Sequence, residues 1–219
     1  MLSFTEENYI KALLRLTLEN SEKTVVGTNE LAAHLGVKPA TATAMFKKLK
    51  EKKLIDYEKY GKIALTEEGR KKAIQVLRRH RLWETFLCEK LGFAWDEVHE
   101  IAEQLEHIQS EKLVEKLDIF LDFPAFDPHG DAIPNEKGEM KILAKKTLSQ
   151  VEIGESCQVV AVKDNSTPFL QYVAQVGLSI NEQVKVVSKQ PYDASTCIEV
   201  HGKRVNVSQK FADNIFVRC

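Results

Sequence analysis

Gly36 and Pro39 divide the stretch from Thr28 to Lys52 into two helices that cannot be one. Glycine reaches the left-handed backbone that closes a helix, and proline lacks an interior helical amide but suits a first turn. The pattern predicts a short helix over Thr28–Leu35, a turn over Gly36-Val-Lys38 and a second helix from Pro39 to about Lys52, with Ala42, Met45, Phe46 and Leu49 as its apolar face. Upstream, Tyr9, Ile10, Leu13, Leu14, Leu16 and Leu18 mark a helix over 5–20 after a Thr5-Glu-Glu start. Downstream, Leu54–Thr66 reads as two short strands around Gly61, and Thr66-Glu-Glu-Gly69 opens a long helix to about Glu89. Two helices joined by a short turn and followed by a hairpin make a winged helix-turn-helix.

In such a unit the second helix enters the DNA major groove by its N-terminal half. Lys38, Pro39, Ala40, Thr41, Thr43 and Ala44 occupy that half. Their small side chains let a helix approach base edges. Lys47, Lys48, Lys50, Lys52 and Lys53 follow, and Lys59, Tyr60 and Lys62 fall in the wing, where they suit phosphate contacts that set affinity and register. A solvated lysine face is the alternative for each of them.

Val98–His107 reads as a further helix. At about 100° per residue, His99, Glu103, Glu106 and His107 share one stripe beside apolar Val98, Ile101, Ala102 and Leu105. His80 and Glu84 form a similar pair at i,i+4 on the long helix. Imidazoles and carboxylates on facing helices suit a divalent-metal site. Such spacings also occur on solvated helix faces, so spacing alone leaves both readings open.

A helix is expected around Ser110–Leu121, and Phe123–Pro134, with three prolines and a glycine, forms an ordered loop. Beyond it the pattern changes to short strands: Gln158–Val162, Gln183–Ser188, Cys197–His201, Arg204–Val207 and Asn214–Arg218, a small barrel of the SH3-like kind. The fold class is therefore mainly α with β. It comprises a winged helix-turn-helix domain (1–72), an all-α domain that carries the histidine and glutamate pairs (73–140), a linker (141–152) and an SH3-like β-barrel (153–219).

Charge follows these segments. Residues 1–72 carry 14 Lys and Arg against 10 Asp and Glu, a net of +4; residues 73–146 carry 10 against 15, a net of −5. A basic front and an acidic middle fit a nucleic-acid binder joined to a cation-binding module. Cys88, Cys157, Cys197 and Cys219 make no CxxC, and no disulfide framework is expected, which points to the cytoplasm. The N-terminus lacks signal-peptide character, and no apolar run reaches the roughly 18 residues of a membrane span.

With these residues in hand, the chain resembles the diphtheria-toxin-repressor family of metal-dependent bacterial regulators. The matching strings are Tyr9-Ile10, Val37-Lys-Pro-Ala-Thr-Ala-Thr43, Leu65-Thr-Glu-Glu-Gly69, Arg79-His-Arg-Leu-Trp-Glu84, Glu103-Gln-Leu-Glu-His107 and Asp127-Pro-His-Gly-Asp-Ala-Ile-Pro134. The resemblance implies a primary site of Glu103, Glu106 and His107 with a first-helix residue, and a neighbouring site of His80, Glu84 and His99, sometimes helped by the third domain. In the manganese branch it implies that His80 joins Glu103, Glu106 and His107 around a closely spaced pair of ions. The iron branch carries cysteine at the position of Glu103. A glutamate there is a hard oxygen donor, favouring Mn(II) or Fe(II).

The first-helix ligands of the family fall on Asn8 and Lys11, and a protonated lysine cannot be a ligand. Asn8 and Glu7 remain first-helix candidates, and Asp164 is the candidate from the third domain. The expected function is a homodimeric, metal-dependent repressor of metal-uptake genes, which binds a palindromic operator when the ion ties the first helix to the dimerisation helices. Trp83, Phe86, Leu87, Leu91, Phe93 and Trp95 are either its dimer surface or monomer core. A metal-independent winged-helix regulator of an organic ligand is the alternative. A metallohydrolase is disfavoured, because there is no HExxH and no evident general base apart from the ligands.

Overall fold

The computed structural model describes residues 2–18, 24–57, 61–141 and 143–219. They form two compact units: residues 1–80 with 104–111 and 134–139, and residues 81–103 with 112–133 and 140–219.

The first unit holds the helix-turn-helix. α1 (Phe4–Leu18), α2 (Thr28–His34) and α3 (Pro39–Glu51) run close to the expected spans, with Pro39 in the first turn of α3. Gly36 takes φ +65, the left-handed turn that separates α2 from α3. The wing is one strand larger than the sequence pattern predicts. β1 (Val26–Gly27), β2 (Ile55–Tyr57) and β3 (Lys62–Leu65) form an antiparallel sheet in the order β1-β3-β2, with Val26 opposite Ile63 and Ile55 opposite Leu65. A two-residue strand is too short for a period-2 pattern to register. Ile10, Leu13, Leu14, Leu31, Phe46, Leu49, Leu54 and Ile63 are all at most 2% exposed and close the core. Each such side chain contributes on the order of 1.5–3 kcal/mol when fully buried.

α4 (Glu67–Leu91) begins in the first unit and ends in the second. Its start depends on Gly69, where a Cβ would overlap the Leu54 carbonyl. Gly69→Ala is expected to cost about 1–3 kcal/mol, read as a lowered denaturant midpoint.

α5 (Val98–Leu105) is shorter than expected. Glu106 and His107 lie in the turn after it, so the four-residue stripe does not form on one helix. Arg79 explains the early end: its Nε donates to the Glu106 carbonyl, one of the acceptors a helix leaves open at its C-terminus. α6 spans Glu111–Phe120. Near it, Trp83 and Phe86 pack against a small core of Leu82, Leu117, Leu121 and Ile133. Leu87 is buried and Trp95 packs on the barrel core, so these two belong to the protomer interior rather than to a dimer surface. Ile119, Phe120 and Phe123 are instead exposed, at 45%, 62% and 64%.

The barrel is a six-stranded antiparallel sheet in the order β4-β9-β5-β6-β7-β8. Its strands are β4 (Lys146–Thr147), β5 (Ser156–Val162), β6 (Gln183–Lys189), β7 (Thr196–Val200), β8 (Lys203–Val207) and β9 (Ile215–Arg218). Two helices, α7 (Thr167–Val176) and α8 (Gln209–Ala212), were not expected. Part of the expected linker belongs to the barrel: Lys146 pairs with Val217, and Leu148 and Val151 are fully buried in its core. The cysteine expectation also needs correction, because Cys157 and Cys219 are joined by a disulfide across 62 residues. Among the described residues, no helix is long and apolar enough to cross a membrane.

Candidate functional site

The first unit gathers a buried polar pocket from three segments. α1 supplies Glu7 and Lys11; α4 supplies Arg79 and His80; the turn after α5 supplies Glu106 and His107. Glu106 is 0% exposed. His80 Nδ1 lies 2.6 Å from its Oε2. Lys11 Nζ lies 2.7 Å from each of its oxygens, but the hydrogen bond is directed at Oε2, and the buried Oε1 receives none.

Glu7 orients rather than faces the pocket. Its Oε2 lies 2.6 Å from His107 Nδ1, and its Oε1 accepts from Arg79 Nη2 and Gln109 Nε2 at 2.9 Å each. An imidazole donating from Nδ1 keeps its lone pair on Nε2, and that nitrogen is 3.8 Å from Glu106 Oε1. Phe4 stacks on the His107 ring at 4.5 Å and fixes its plane. Asn8 Oδ1 is buried and accepts no hydrogen bond. A carboxylate held by an ammonium, one oriented imidazole and a buried amide oxygen with no donor are ligand types that suit a hard divalent cation.

The second unit holds another set. His99 Nδ1 is 3.1 Å from Glu84 Oε1, and His99 Nε2 is 3.6 Å from Glu103 Oε1. Glu84 also belongs to a fully buried cluster with Asp127 and His129, which offers three ligand atoms within 4.8 Å of one another. His129 Nε2 donates to the Trp95 carbonyl at 2.8 Å. A carbonyl only accepts, so the neutral ring keeps its lone pair on Nδ1, which is buried without a hydrogen bond. Glu84 Oε2 stands 3.8 Å from that nitrogen, a charge contact rather than a hydrogen bond. Asp127 Oδ1 accepts the His129 and Asp131 amides at 2.9 and 3.0 Å, and Oδ2 lies 3.5 Å from Arg81.

Both titrations are displaced upward. Burial, then the Glu84 charge, push Asp127 up to about 7. Burial alone would lower His129, but the adjacent Glu84 and then Asp127 raise it to about 9. A cation bound there would have to displace these protons. Gly130 binds it to the barrel: its φ is +83, a Cβ there would overlap the Val160 carbonyl, and Val162 donates to the His129 carbonyl at 3.0 Å.

Asp127 and His129 are functional candidates that the sequence pattern misses, because an Asp and a His at i,i+2 in a loop carry no helical period to single them out. Asp164 is placed differently from the expectation. Its Oδ1 accepts the Ser166 amide at 2.9 Å, turning the chain into α7, and it is in neither set. A further group, Glu155 with Cys157 and Cys219, has its sulfurs committed to the disulfide.

Lys38 at the N-cap of α3, and Pro39, Ala40, Thr41, Lys47 and Lys48 on it, are exposed. Thr43 is half-buried, and its hydroxyl donates to the Pro39 carbonyl at 2.9 Å. Lys62 is exposed on the wing, whereas Lys59 and Tyr60 lie outside the described residues. Lys50 donates to the Tyr57 carbonyl at 3.1 Å and Lys52 pairs with Glu6 at 2.8 Å, so these two brace the domain.

Three family models match consecutive segments. Residues 1–63 match the iron dependent repressor N-terminal DNA binding domain, 66–135 the iron dependent repressor metal binding and dimerisation domain, and 146–219 the FeoA domain. An HTH-type transcriptional regulator of Methanocaldococcus jannaschii is 36% identical over 121 residues, covering 55% of this chain and 95% of that protein. The iron-dependent repressor IdeR of Mycobacterium tuberculosis is 43% identical over 72 residues, 33% of this chain and 31% of that protein, so the chain spans about a third of its length. Among solved structures, a manganese-dependent transcriptional repressor in complex with manganese superposes with a TM-score of 0.85 at 33% identity, covering 97% of this chain and 98% of that one.

Proposed function

The chain belongs to the diphtheria-toxin-repressor family of metal-dependent transcriptional regulators, and from that premise we propose that it is a homodimeric, cytoplasmic repressor of metal-uptake genes that binds a palindromic DNA operator when loaded with Mn(II) or Fe(II). The observation that carries this reading is the pocket of the first unit. In it Glu106 lies against His80 and near the Glu7-oriented His107, within the same compact unit as the recognition helix, and Asn8 on α1 carries a buried oxygen with no donor.

Asn8, Glu106 and His107 would hold the ion, and Glu7 would fix the His107 ring. The ion supplies positive charge that draws these donors together. The residues themselves join α1, which packs against α2 and the wing, to the segment that follows α5. Holding α1 in one position sets where α3 presents Lys38, Ala40 and Thr41. In a dimer that position decides whether two recognition helices lie about one helical turn of DNA apart. Exposed Ile119, Phe120 and Phe123 suit the dimer contact. In the second unit, Glu84, Asp127 and His129 form a second candidate centre, with His99 and Glu103 next to it on α5. The domain division that goes with this reading is 1–72, 73–140 and 153–219, with the barrel sheet starting at Lys146.

The test is a binding titration on duplex DNA selected from a random pool in the presence of Mn(II). Removing the ion with chelator should weaken binding by about 5–150-fold, the range of coupling energies of 1–3 kcal/mol. Equal affinity with and without metal would favour a metal-independent regulator instead.

A further inference from the structure

Cys157 and Cys219 hold a disulfide that the proposed metal chemistry does not use. Along β5 and β9, Gln158 faces Arg218 and Val159 faces Val217, so the two cysteines meet one rung outside these pairs. Their sulfurs differ in access. Cys157 is 2% exposed and packed in the barrel core, whereas Cys219 is exposed. Glu155 is the carboxylate beside the sulfurs, and Lys146 Nζ lies 2.9 Å from its Oε2. Its charge is thereby balanced and does not bar an anionic thiol reagent. In a reducing cytoplasm, a disulfide with one open sulfur is of the labile, redox-sensing kind and not a permanent brace.

The disulfide also lies close to the second candidate centre. The β5–β9 register slips between Val159 and Ala161, which leaves Val160 as a bulge just inside the second rung from the disulfide. The loop of Asp127 and His129 docks on that bulge. A Cβ on Gly130 would overlap the Val160 carbonyl, and Val162 donates to the His129 carbonyl at 3.0 Å. β9 is only four residues long and also carries β4, through Lys146 opposite Val217. Untying its end loosens the rungs that fix the bulge.

We propose that Cys157 and Cys219 form a thiol–disulfide exchange site for a small-molecule disulfide of the glutathione class, and that its oxidation fastens the strand pair on which the His129 loop rests. The inference rests on the cytoplasmic part of the proposed function and not on metal binding. In oxidation, the Cys219 thiolate attacks the reagent disulfide, forms a mixed disulfide and releases one thiolate. Cys157 then loses its proton to solvent, and its sulfur attacks Cys219 Sγ and expels the second thiolate. The two protein thiols give up two electrons and two protons, and the reagent takes them up as two thiols. Excess thiol reverses the sequence by attack on exposed Cys219.

The test holds the full chain, after chelator, in buffers of graded reduced-to-oxidised glutathione ratio, then alkylates free thiols and weighs the peptides. Both forms of the pair should be populated within the series and interconvert when the ratio is reversed. Cys157→Ala should stop at glutathione bound to Cys219; should that variant fail to fold, the wild-type series alone decides. A pair that stays oxidised, or stays reduced, at every ratio overturns the proposal. Hydrogen exchange reads the effect on the loop. On reduction of wild type, the amides of 159–162 and 127–133 should exchange roughly tenfold faster, and Cys219→Ser should exchange fast in both buffers. Equal exchange in the two forms of wild type, or a Cys219→Ser as protected as the oxidised protein, overturns the coupling. DNA binding that ignores Mn(II) would defeat the repressor reading and leave this inference standing, whereas an inert disulfide defeats this inference alone.

Discussion

Glu106→Ala should destabilise the chelator-treated protein by about 3–5 kcal/mol, the usual cost of breaking a buried ion pair by removing one partner. Such a loss is a large share of the 5–15 kcal/mol that holds a typical native domain together. The reason is what stays behind. Lys11 is 4% exposed with its ammonium on Glu106, and His80 directs Nδ1 at the same carboxylate. With the carboxylate gone, a buried ammonium faces a cavity. Adding Lys11→Met to Glu106→Ala should recover much of the loss, because the buried ammonium that lost its 2.7 Å carboxylate is then gone as well. Denaturant melts of the four proteins in the absence of metal form a double-mutant cycle. A residue that served only as a metal ligand would leave these metal-free melts unchanged, so additive or negligible effects would argue against the ion pair as a structural element.

The DNA-binding half was legible because its signals are local. Gly36 and Pro39 punctuate two helices, and Phe46 and Leu49 recur at helical spacing. The metal-site residues were legible as residue types, but their arrangement was not. The expected stripe assumed a helix through His107, whereas α5 stops at Leu105 because Arg79, distant in sequence, takes the Glu106 carbonyl. That early stop lets Glu106 and His107 meet α1 instead of following His99 and Glu103. His129 is illegible in the sequence for the complementary reason: its role depends on the Trp95 carbonyl, 34 residues away, which selects its tautomer. The disulfide partners, 62 residues apart, carry no spacing signal. α7 does carry local signals: Pro168 in its first turn, Leu170, Val173 and Val176 on one face, and Gly177 at φ 86 as its cap. Local patterns reach as far as one element, and the site is built from contacts between elements.

Stability of the metal-free protein should fall as pH rises, and His129→Gln should remove much of that fall. His129 is raised from 6.5 to about 9 in the folded chain, so its contribution is fully present below pH 6.5 and is lost as pH rises through about 9. That displacement corresponds to roughly 3 kcal/mol at most. Asp127, raised from 3.8 to about 7, acts in the same direction at lower pH: the folded state resists its ionisation, and stability declines between about 4 and 7. Between pH 6.5 and 9, the difference between wild type and His129→Gln in chelator-treated denaturant melts isolates the histidine. Bound Mn(II) should reverse the trend, since a cation beside Glu84 and Asp127 needs His129 neutral and Asp127 ionised, and loading releases those protons. Metal affinity at this cluster should therefore climb with pH over the window in which the metal-free protein weakens. A pH-independent difference between wild type and His129→Gln, with and without Mn(II), would mean that Glu84, Asp127 and His129 act only as a structural knot.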